Sequence, residues 1–325
     1  MTRIRNLDSS NFSSWGLKMR RPFHAQYYAM FSSLYEGIVT DPLLMMVPVD
    51  DHMVHRGDAV FETLKCVRGN IYNLRAHLGR LAASAQGLSL NLPCSEKELA
   101  DIIVQTVFAG EHPDCLIRLL LSRGPGSLGV SPYDCPAPAL YVVVSEYKKP
   151  FMELHPEGAK VKTSTLPVKA APFANIKSVN YLTNVLMKKE AVDSGVDFVV
   201  SFDENGHLAE GPTENAGIVT RDGCLRVPNP ERILAGTTMI RVMELAGSLP
   251  ATQQLAAVET ADIARTDVED AAEMLIFGTT PDVTAATEFD GKPVGGGKPG
   301  PVFKQLNRIL LEDIHQNAGM QTRVF

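Results

Sequence analysis

The stretch that decides how this chain is interpreted is residues 176–195, IKSVNYLTNVLMKKEAVDSG. Lys177 stands directly before a segment with helical spacing, for which Asn180 is a suitable start and Gly195 a suitable stop. The apolar residues of this segment are Leu182, Val185, Leu186 and Val192. Their periodicity predicts a helix that packs one face into the core. Lys177 is therefore expected at an element boundary, where a rigid scaffold holds an amine that reaches into a cleft; a solvated surface lysine is the alternative.

Length and composition bound the class of protein. The 325 residues are too many for one small core, so two domains are expected. A hydrophobic fraction of 45% and a charged fraction of 21% are ordinary for a soluble globular protein. The formal net charge of -6 argues against nucleic acid or an anionic membrane as the main partner. No apolar run approaches the roughly 18 residues that a membrane-spanning helix needs.

Cysteine usage and the N-terminus indicate a compartment. The cysteines are Cys66, Cys94, Cys115, Cys135 and Cys224. They are scattered and odd in number, which predicts reduced thiols in a cytoplasmic protein and neither a disulfide framework nor a zinc site. His52 and His55 have no third ligand nearby, so no metal site is predicted there. The first residues lack the apolar segment of a secretory signal.

Changes in composition along the chain predict an α/β protein of two domains. Residues 1–26 are polar and mixed and are interpreted as an N-terminal extension. Residues 27–166 alternate strand-like and helical segments and are predicted to form a small α/β domain. Prolines and small residues break this regularity at 167–175, which is the predicted interdomain linker. Residues 176–325 again alternate strands and helices and are predicted to form a larger α/β domain.

Three further segments bear on function. Residues 74–88 carry leucines at helical spacing, and Arg80 lies beside that stripe. Residues 123–129 form a loop rich in glycine and proline between two predicted strands, which makes it a candidate substrate loop. Its Arg123 either binds a substrate carboxylate or braces the loop. The last predicted helix begins at Pro301, and its buried face is formed by Phe303, Leu306, Leu310 and Ile314.

Lys177 and Glu210 suit two tasks in the chemistry of pyridoxal phosphate. Lys177 offers an amine for a Schiff base. Glu210 offers a carboxyl group that keeps a pyridine nitrogen protonated, which makes the ring an electron sink. For each residue taken singly, a surface lysine or a turn glutamate is the alternative.

Two glycine–threonine segments and one arginine suit the phosphate of the same cofactor. Residues 236–238 stand at a predicted helix start, where backbone N–H groups and the helix dipole favour an anion. Residues 278–280 follow a predicted strand and add further donors. The hydroxyl donors are Thr237, Thr238, Thr279 and Thr280. Arg80 offers a bidentate cation. Caps and a helix-face charge are the alternatives, and spacing alone does not bring these residues together.

Five segments in a fixed order resemble motifs of the fold-type IV (class IV) pyridoxal-phosphate enzymes. They are residues 77–81 (HLGRL), 176–186 (IKSVNYLTNVL), 208–215 (LAEGPTEN), 233–238 (ILAGTT) and 278–284 (GTTPDVT). The resemblance extends over roughly residues 28–315. That superfamily contains the branched-chain aminotransferases, the D-amino acid aminotransferases and the aminodeoxychorismate lyases.

The resemblance implies a fold, a cofactor and roles for named residues. It implies a small and a large α/β domain with pyridoxal 5'-phosphate between them, in a homodimer whose active sites lie near the subunit interface. Lys177 would hold the cofactor and move a proton between it and the substrate. Arg80 would bind the phosphate, Glu210 the pyridine nitrogen and Tyr181 the phenolic oxygen. The threonines named above would complete the phosphate site.

Within that superfamily, the first prediction is an amino acid transaminase that passes an amino group to a 2-oxo acid, with Phe61 and Arg123 as candidate substrate residues. Tyr181 is typical of branched-chain enzymes, whereas the whole chain resembles the plant-type D-amino acid transaminases, so the stereochemical preference stays open. Residues 127–130 lack the Arg-x-His pair with which bacterial D-amino acid enzymes bind the substrate carboxylate. A lyase that releases pyruvate from aminodeoxychorismate is the alternative, and a catalytically idle homologue is a third.

Overall fold

The computed structural model describes residues 6, 8–169, 172–249 and 255–325. In these ranges the strands are β1 (Tyr27–Ser32), β2 (Gly37–Val39), β3 (Ala59–Val67), β4 (Asn70–Tyr72), β5 (Cys115–Ser122), β6 (Ala139–Glu146), β7 (Ala159–Thr163), β8 (Phe198–Val200), β9 (Asn215–Val219), β10 (Cys224–Pro228), β11 (Ala257–Ala261), β12 (Glu273–Gly278), β13 (Asp282–Phe289), β14 (Lys292–Pro293) and β15 (Gln321–Arg323). The α-helices are α1 (Ser9–Met19), α2 (His52–Arg56), α3 (Leu74–Gly87), α4 (Glu96–Ala109), α5 (Phe151–Leu154), α6 (Leu182–Asp193), α7 (Thr237–Gly247), α8 (Arg265–Glu269) and α9 (Pro301–Gln316).

The first sheet is antiparallel, with the strand order β15-β4-β3-β5-β6-β1-β2. Side chains alternate between its two faces, as the pleat requires. One face packs against α3 and α4 in an apolar core that includes Leu64, Leu78, Ile103 and Ile117. On β3 and β5 the other face carries Phe61, Thr63 and Arg118, which border a cavity. The two faces of these strands therefore separate the core of this sheet from a functional surface.

The second sheet is mixed, with the strand order β11-β10-β9-β12-β13-β7-β8 and with β14 paired to β13. Its central strand β12 is antiparallel to both neighbours, β9 and β13, whereas β7 runs parallel to both β13 and β8. Helices α7 and α9 cover one face and bury an apolar cluster that includes Val242, Leu275, Phe303 and Leu310. The predicted buried face of the last helix is confirmed, because Phe303, Leu306, Leu310 and Ile314 are all buried. None of the described helices has the length and apolarity needed to cross a bilayer.

Strand pairing groups the chain differently from the predicted ranges at two places. The prediction assigns residues 159–166 to the first domain, but β7 hydrogen-bonds within the second sheet. The burial of Ala159 and Val161 in the second sheet's core explains this placement. At the other end of the chain, β15 returns to the first sheet and pairs with β4. Among the named strands, the change to the second sheet thus comes at β7 and the return to the first sheet at β15, while the domain ranges as such stay a prediction.

The apolar face predicted for the helix after Lys177 is exposed. The exposed fractions are 72% for Leu182, 59% for Val185, 42% for Leu186 and 64% for Val192. Helix α6 instead buries Met187 and Ala191 against Val199 of β8. The prediction that the apolar stripe packs into the core is therefore wrong for a single chain. Periodicity identifies an apolar face but does not say what covers it.

Candidate active site

A cavity between the two sheets brings the predicted cofactor residues together. Its inner part has a volume of about 360 Å³ and is lined by Arg80, Lys177, Glu210, Thr237, Thr238 and Thr279 among others. An adjoining outer part of about 650 Å³ adds Phe61, Arg118, Tyr181 and Thr280. Residues from five separate segments of the sequence thus meet in one place.

The backbone of Lys177 is fixed to strand β3. The amide of Phe61 donates to the carbonyl of Lys177 at 2.9 Å, and the amide of Val179 donates to the carbonyl of Ala59 at 3.0 Å. The Lys177 amide donates to Ser84 Oγ on α3 at 3.1 Å. Residues 177–179 therefore extend the first sheet where the short β4 leaves the edge of β3 free. Residues 177–179 are thus held by the first sheet, whereas helix α6, which follows them, packs on the second sheet.

The side chain of Lys177 is a buried amine. Lys177 is only 8% exposed, and no carboxylate in the described ranges forms an ion pair with it. Its Nζ lies 4.7 Å from the centroid of the Phe61 ring. Burial and the nearby Arg80 guanidinium lower the pKa of Lys177 to about 8. A neutral, nucleophilic amine is therefore accessible close to physiological pH.

Asn180 and Tyr181 lie differently from the predicted cap. Tyr181 occupies the N-cap position of α6, while the Asn180 amide group donates to the carbonyl of Gly57 at 2.9 Å. A side chain at Gly57 would collide with Asn180, since a Cβ there would lie 2.4 Å from Asn180 Oδ1. The loop that follows α2 is thus docked onto the lysine segment.

Glu62 is a buried carboxylate that sequence reasoning missed. It accepts hydrogen bonds from Arg80 Nε at 2.7 Å and Arg80 Nη2 at 2.8 Å. His77 Nδ1 lies 2.7 Å from the same carboxylate. Burial would raise the pKa of Glu62, but the hydrogen bonds from Arg80 and His77 outweigh it and lower the pKa to about 2. The available signal was a glutamate within the otherwise apolar run AVFETLKCV.

His77 connects this carboxylate to the start of α7. Burial lowers the pKa of His77 and favours the neutral imidazole. With Nδ1–H donating to Glu62, Nε2 is left to accept from the Thr237 hydroxyl, 3.3 Å away. Arg80 Nη1 also donates to the carbonyl of Ala235 at 3.1 Å. The arginine, the histidine and the first turn of α7 are therefore held as one unit.

The segment for which the sequence predicts an anion cradle is the N-terminus of α7. Thr237 and Thr238 are buried in its first turn, where free N–H groups and the helix dipole favour an anion. Gly236 precedes them, and a Cβ there would lie 1.8 Å from Asn215 Oδ1. A side chain at this position would therefore have to displace Asn215. Asn215 itself donates to the carbonyl of Leu234 at 2.9 Å, which fixes the turn before the helix.

Glu210 lines the same inner part of the cavity as the start of α7. Its Oε2 accepts a hydrogen bond from the Leu234 amide at 3.1 Å, and its backbone bridges to Asn215. Burial raises the pKa of Glu210 to about 7, because the single backbone hydrogen bond and the nearby lysines compensate only in part. This carboxyl group is poised to ionise when a cationic partner arrives.

Two aromatic rings form the wall next to Lys177. Tyr181 packs edge-to-face on Phe61, with centroids 5.0 Å apart and an interplanar angle of 78°. Burial raises the pKa of the Tyr181 phenol, so it remains a hydrogen-bond donor at neutral pH. Lys169 Nζ lies 4.5 Å from the Tyr181 ring centroid. Phe61, predicted as a substrate residue, therefore borders the outer cavity beside the amine.

Arg123, the other predicted substrate residue, does not line the cavity. Its guanidinium donates to both carboxylate oxygens of Asp58, at 2.9 and 3.0 Å. It also donates to the carbonyls of Leu88 and Ser89. This arrangement favours the alternative that Arg123 braces the loop. The predicted substrate contact is not supported within this chain, because the donors of Arg123 are engaged by other groups.

Arg118 is a further cation that borders the outer cavity, and sequence reasoning missed it. It lies on β5 opposite Thr63 of β3, with its guanidinium carbon 5.4 Å from the Phe61 ring centroid. Burial lowers the pKa of Arg118 below its ordinary value without discharging it. In the described part of the chain, no carboxylate pairs with it. An arginine inside the apolar strand CLIRLLLS was the available signal.

Comparisons with known proteins agree with this geometry. The sequence profile of the family described as amino-transferase class IV matches residues 59–289. The chain is 38% identical to the chloroplastic D-amino-acid transaminase of Arabidopsis thaliana over 89% of this chain and 77% of that protein. It is 28% identical to a branched-chain-amino-acid aminotransferase of Pseudomonas aeruginosa over 80% of this chain and 85% of that one.

A solved structure supports the fold as well as the family. The crystal structure of a T.th. branched-chain amino acid aminotransferase with pyridoxamine 5'-phosphate superposes with a TM-score of 0.85 at 27% identity, covering 92% of this chain and 99% of that one. The predicted α/β fold and the predicted resemblance are thus confirmed, and a transaminase is favoured over the lyase. The chain is an enzyme and belongs to the class IV aminotransferase family.

Proposed function

We propose that this enzyme is a pyridoxal-phosphate-dependent amino acid transaminase in which Lys177 holds the cofactor. The observation that carries the proposal is the convergence on one cavity of a buried amine with a lowered pKa, a carboxyl group with a raised pKa and a helix N-terminus suited to an anion. These three groups come from well-separated segments of the sequence, so chance clustering is a poor explanation of their meeting. Family membership favours the same chemistry.

The residues present fit this cofactor. The phosphate would be held by Arg80, by Thr237 and Thr238 at the start of α7, and by the Thr279–Thr280 turn. Gly236 keeps the cradle open, because any Cβ there would displace Asn215. Glu210 would face the pyridine nitrogen, whose positive charge would in turn favour the ionised carboxylate. Tyr181 would donate to the phenolic oxygen.

The chain's own groups account for the proton transfers. When bound, pyridoxal phosphate supplies an aldehyde that accepts the amino group and a ring that withdraws electrons from the substrate Cα. Lys177 Nζ, with a pKa of about 8, is suited to take a proton from that carbon and to give it back. The Phe61 and Tyr181 rings exclude water from one side of the amine, which keeps the proton local.

Arg118 is the best-placed group to bind a substrate carboxylate. It borders the outer cavity together with Thr63 and Phe61, on the same wall as Lys177. A carboxylate of the donor or of the 2-oxo acid acceptor would form a charge-assisted hydrogen bond with it. We favour D-amino acids as donors, because the relative at 38% identity is named a D-amino-acid transaminase. Tyr181, which resembles the residue of the branched-chain enzymes, keeps an L-branched-chain donor as the second candidate.

A homodimer is part of the proposal. The exposed stripe of α6 and the tip of the 123–137 loop present apolar side chains that water does not favour. The most exposed of them are Leu182, Val192, Leu128, Val130 and Tyr133. Light scattering of the purified protein should give twice the chain mass. A cytoplasmic location stays a prediction, since the Arabidopsis relative is named chloroplastic.

The first test is the absorbance of the purified protein with pyridoxal phosphate. A visible band should appear and should bleach on addition of D-alanine, with pyruvate released and the band restored by a 2-oxo acid. Bleaching by L-leucine instead would support the branched-chain donor. An unbleached band, with pyruvate released only from aminodeoxychorismate, would establish the lyase. No band with added pyridoxal phosphate would refute the cofactor assignment.

A further inference from the structure

One ion pair joins the two sheets within the protein interior. Lys65 of β3 donates from Nζ to Asp282 Oδ1 at the start of β13. Lys65 is 3% exposed and Asp282 is 2% exposed. A single charge left alone in such a place would be strongly unfavourable, so each residue requires the other. Neither residue lines the cavity or takes part in the roles described above.

Lys65 lies on the functional face of β3. Side chains two residues apart share a face of a strand, so Phe61, Thr63 and Lys65 point the same way. Phe61 and Thr63 border the cavity, and Phe61 lies next to the Lys177 amine. The ion pair therefore lies further along β3, beyond Phe61 and Thr63, and connects this strand to the second sheet.

The turn that contains Thr279 and Thr280 ends at Asp282. Thr279 and Thr280 stand shortly before it in the chain and line the cavity. The φ angle of Asp282 is 55°, in the left-handed region that non-glycine residues rarely adopt. The hydroxyl of Thr284 donates to the carbonyl of Pro281 at 3.1 Å, which tightens the same turn. A backbone of this kind persists where surrounding contacts hold it.

We propose that Lys65 and Asp282 are positioning residues that hold the Thr279–Thr280 turn at the phosphate end of the cavity. The inference rests on the proposed function, because it takes the phosphate of pyridoxal phosphate to lie at this turn. The turn cannot move away from β3 without separating the two buried charges. Lys65 thus acts on the phosphate through Asp282 and the turn, without touching the cofactor.

The pair makes a prediction that a purely stabilising role would not. If the pair orients the phosphate turn, its loss should weaken binding of pyridoxal phosphate but not of pyridoxal, which lacks the phosphate. If the pair only stabilises the fold, both compounds should be affected alike or not at all. The ratio of the two dissociation constants is therefore the informative quantity.

The experiment uses the full-length protein freed of cofactor and titrated with each compound by absorbance. The variants are Lys65→Met, Asp282→Asn and the double variant. Each single variant leaves one charge of the pair buried without its partner, whereas the double variant removes both charges. Asparagine tolerates the left-handed backbone, so Asp282→Asn removes the charge without a new steric conflict. Ile103→Ala, which opens a cavity where α4 packs on the first sheet, serves as a destabilised control outside the turn.

The dissociation constant for pyridoxal phosphate should rise by about tenfold or more in the double variant, the scale on which partners of ligating groups act. That for pyridoxal should stay within about twofold of the wild type, and Ile103→Ala should change neither. Equal losses for both compounds, or unchanged affinity for pyridoxal phosphate in a folded double variant, would overturn the inference alone. A wild-type protein that binds neither compound would overturn the proposed function as well.

Discussion

The buried carboxylate of Glu62 holds the guanidinium of Arg80 through two hydrogen bonds, from Nε to Oε1 at 2.7 Å and from Nη2 to Oε2 at 2.8 Å. This bidentate contact fixes the plane of the arginine and leaves Nη1 directed towards the start of α7, where it donates to the carbonyl of Ala235. Strand β3 thus aims a cation from α3 at the anion cradle of the second sheet. Arg80 is presented rigidly, which lowers the entropy cost of binding a phosphate.

Replacement of Glu62 by glutamine should weaken cofactor binding more than it lowers the turnover rate of the cofactor-loaded enzyme. The variant retains the shape but loses the charge that orients both Arg80 and His77. We expect the dissociation constant for pyridoxal phosphate to rise by about tenfold and the free energy of unfolding to fall by about 3 kcal/mol, because a buried charge loses its partner. Equilibrium titration and urea unfolding measure the two effects. Glu259→Gln, which removes an exposed partner of Arg226, is the matched control; equal effects in both variants would contradict the role of Glu62.

Replacement of Lys177 by methionine should abolish transamination while preserving the fold. Methionine fills a similar volume in the buried site but supplies no amine. No visible band should form with pyridoxal phosphate, and turnover should fall by at least about a thousandfold, as expected on loss of both the covalent and the acid–base role. Lys188→Met on the exposed side of α6 should retain both. A retained band in Lys177→Met would rule out Lys177 as the cofactor lysine.

The lowered pKa of Lys177 predicts the pH dependence of cofactor attachment. Burial favours the neutral amine, so the reactive form predominates above about pH 8 rather than above 10.5. The rate at which cofactor-free protein captures pyridoxal phosphate should rise by about tenfold per pH unit below the midpoint and level off above it. Stopped-flow absorbance across the range measures this profile. A midpoint close to 10.5 would mean that the amine is solvated before the cofactor binds.

The raised pKa of Glu210 predicts that cofactor-free protein loses stability as pH rises. The folded state keeps its proton up to about pH 7, whereas the unfolded chain releases it near 4.5. Between these values the folded state binds more protons, so the free energy of unfolding falls with rising pH, by about 3 kcal/mol in total. Urea unfolding of the wild type and Glu210→Gln on both sides of this window measures the difference. A difference that does not change with pH would show that Glu210 is already ionised.

Substitutions of Arg118 and Arg123 should affect different properties. The first should weaken substrate binding, and the second should lower stability. Arg118→Gln should raise KM for the donor or the acceptor by about 10–100-fold, the value of one hydrogen bond to a charged group, with little change in Tm. Arg123→Gln should lower the free energy of unfolding by about 1–3 kcal/mol, because Asp58 loses its bidentate partner. Initial-rate kinetics and thermal unfolding of both variants provide the comparison. The opposite assignment of effects would restore Arg123 as the substrate residue.

Much of the candidate site could be predicted from patterns of neighbouring residues in the sequence. Lys177 before a helix, glycine and threonine at a helix start, and an acid after a turn are patterns whose physical reason lies within a few neighbouring residues. The side chains that contact these groups could not be predicted from the sequence. Glu62 and Arg80 are 18 positions apart and on different elements, and only the packing of α3 on β3 makes them meet. Arg123 was named as a candidate and Arg118 was missed, because their surroundings, and not their residue type, distinguish them.

The sequence by itself determined the order of strands and helices, the residue types available for cofactor chemistry and the family to which they belong, because periodicity, caps and turn residues act over short distances. The tertiary structure decided the rest. It assigned β7 to the second sheet and β15 to the first, left the apolar stripe of α6 uncovered in a single chain, and buried Lys65 against Asp282. A side chain's charge state and task depend on how much water surrounds it and which charges face it, and both follow from contacts between segments far apart in the sequence.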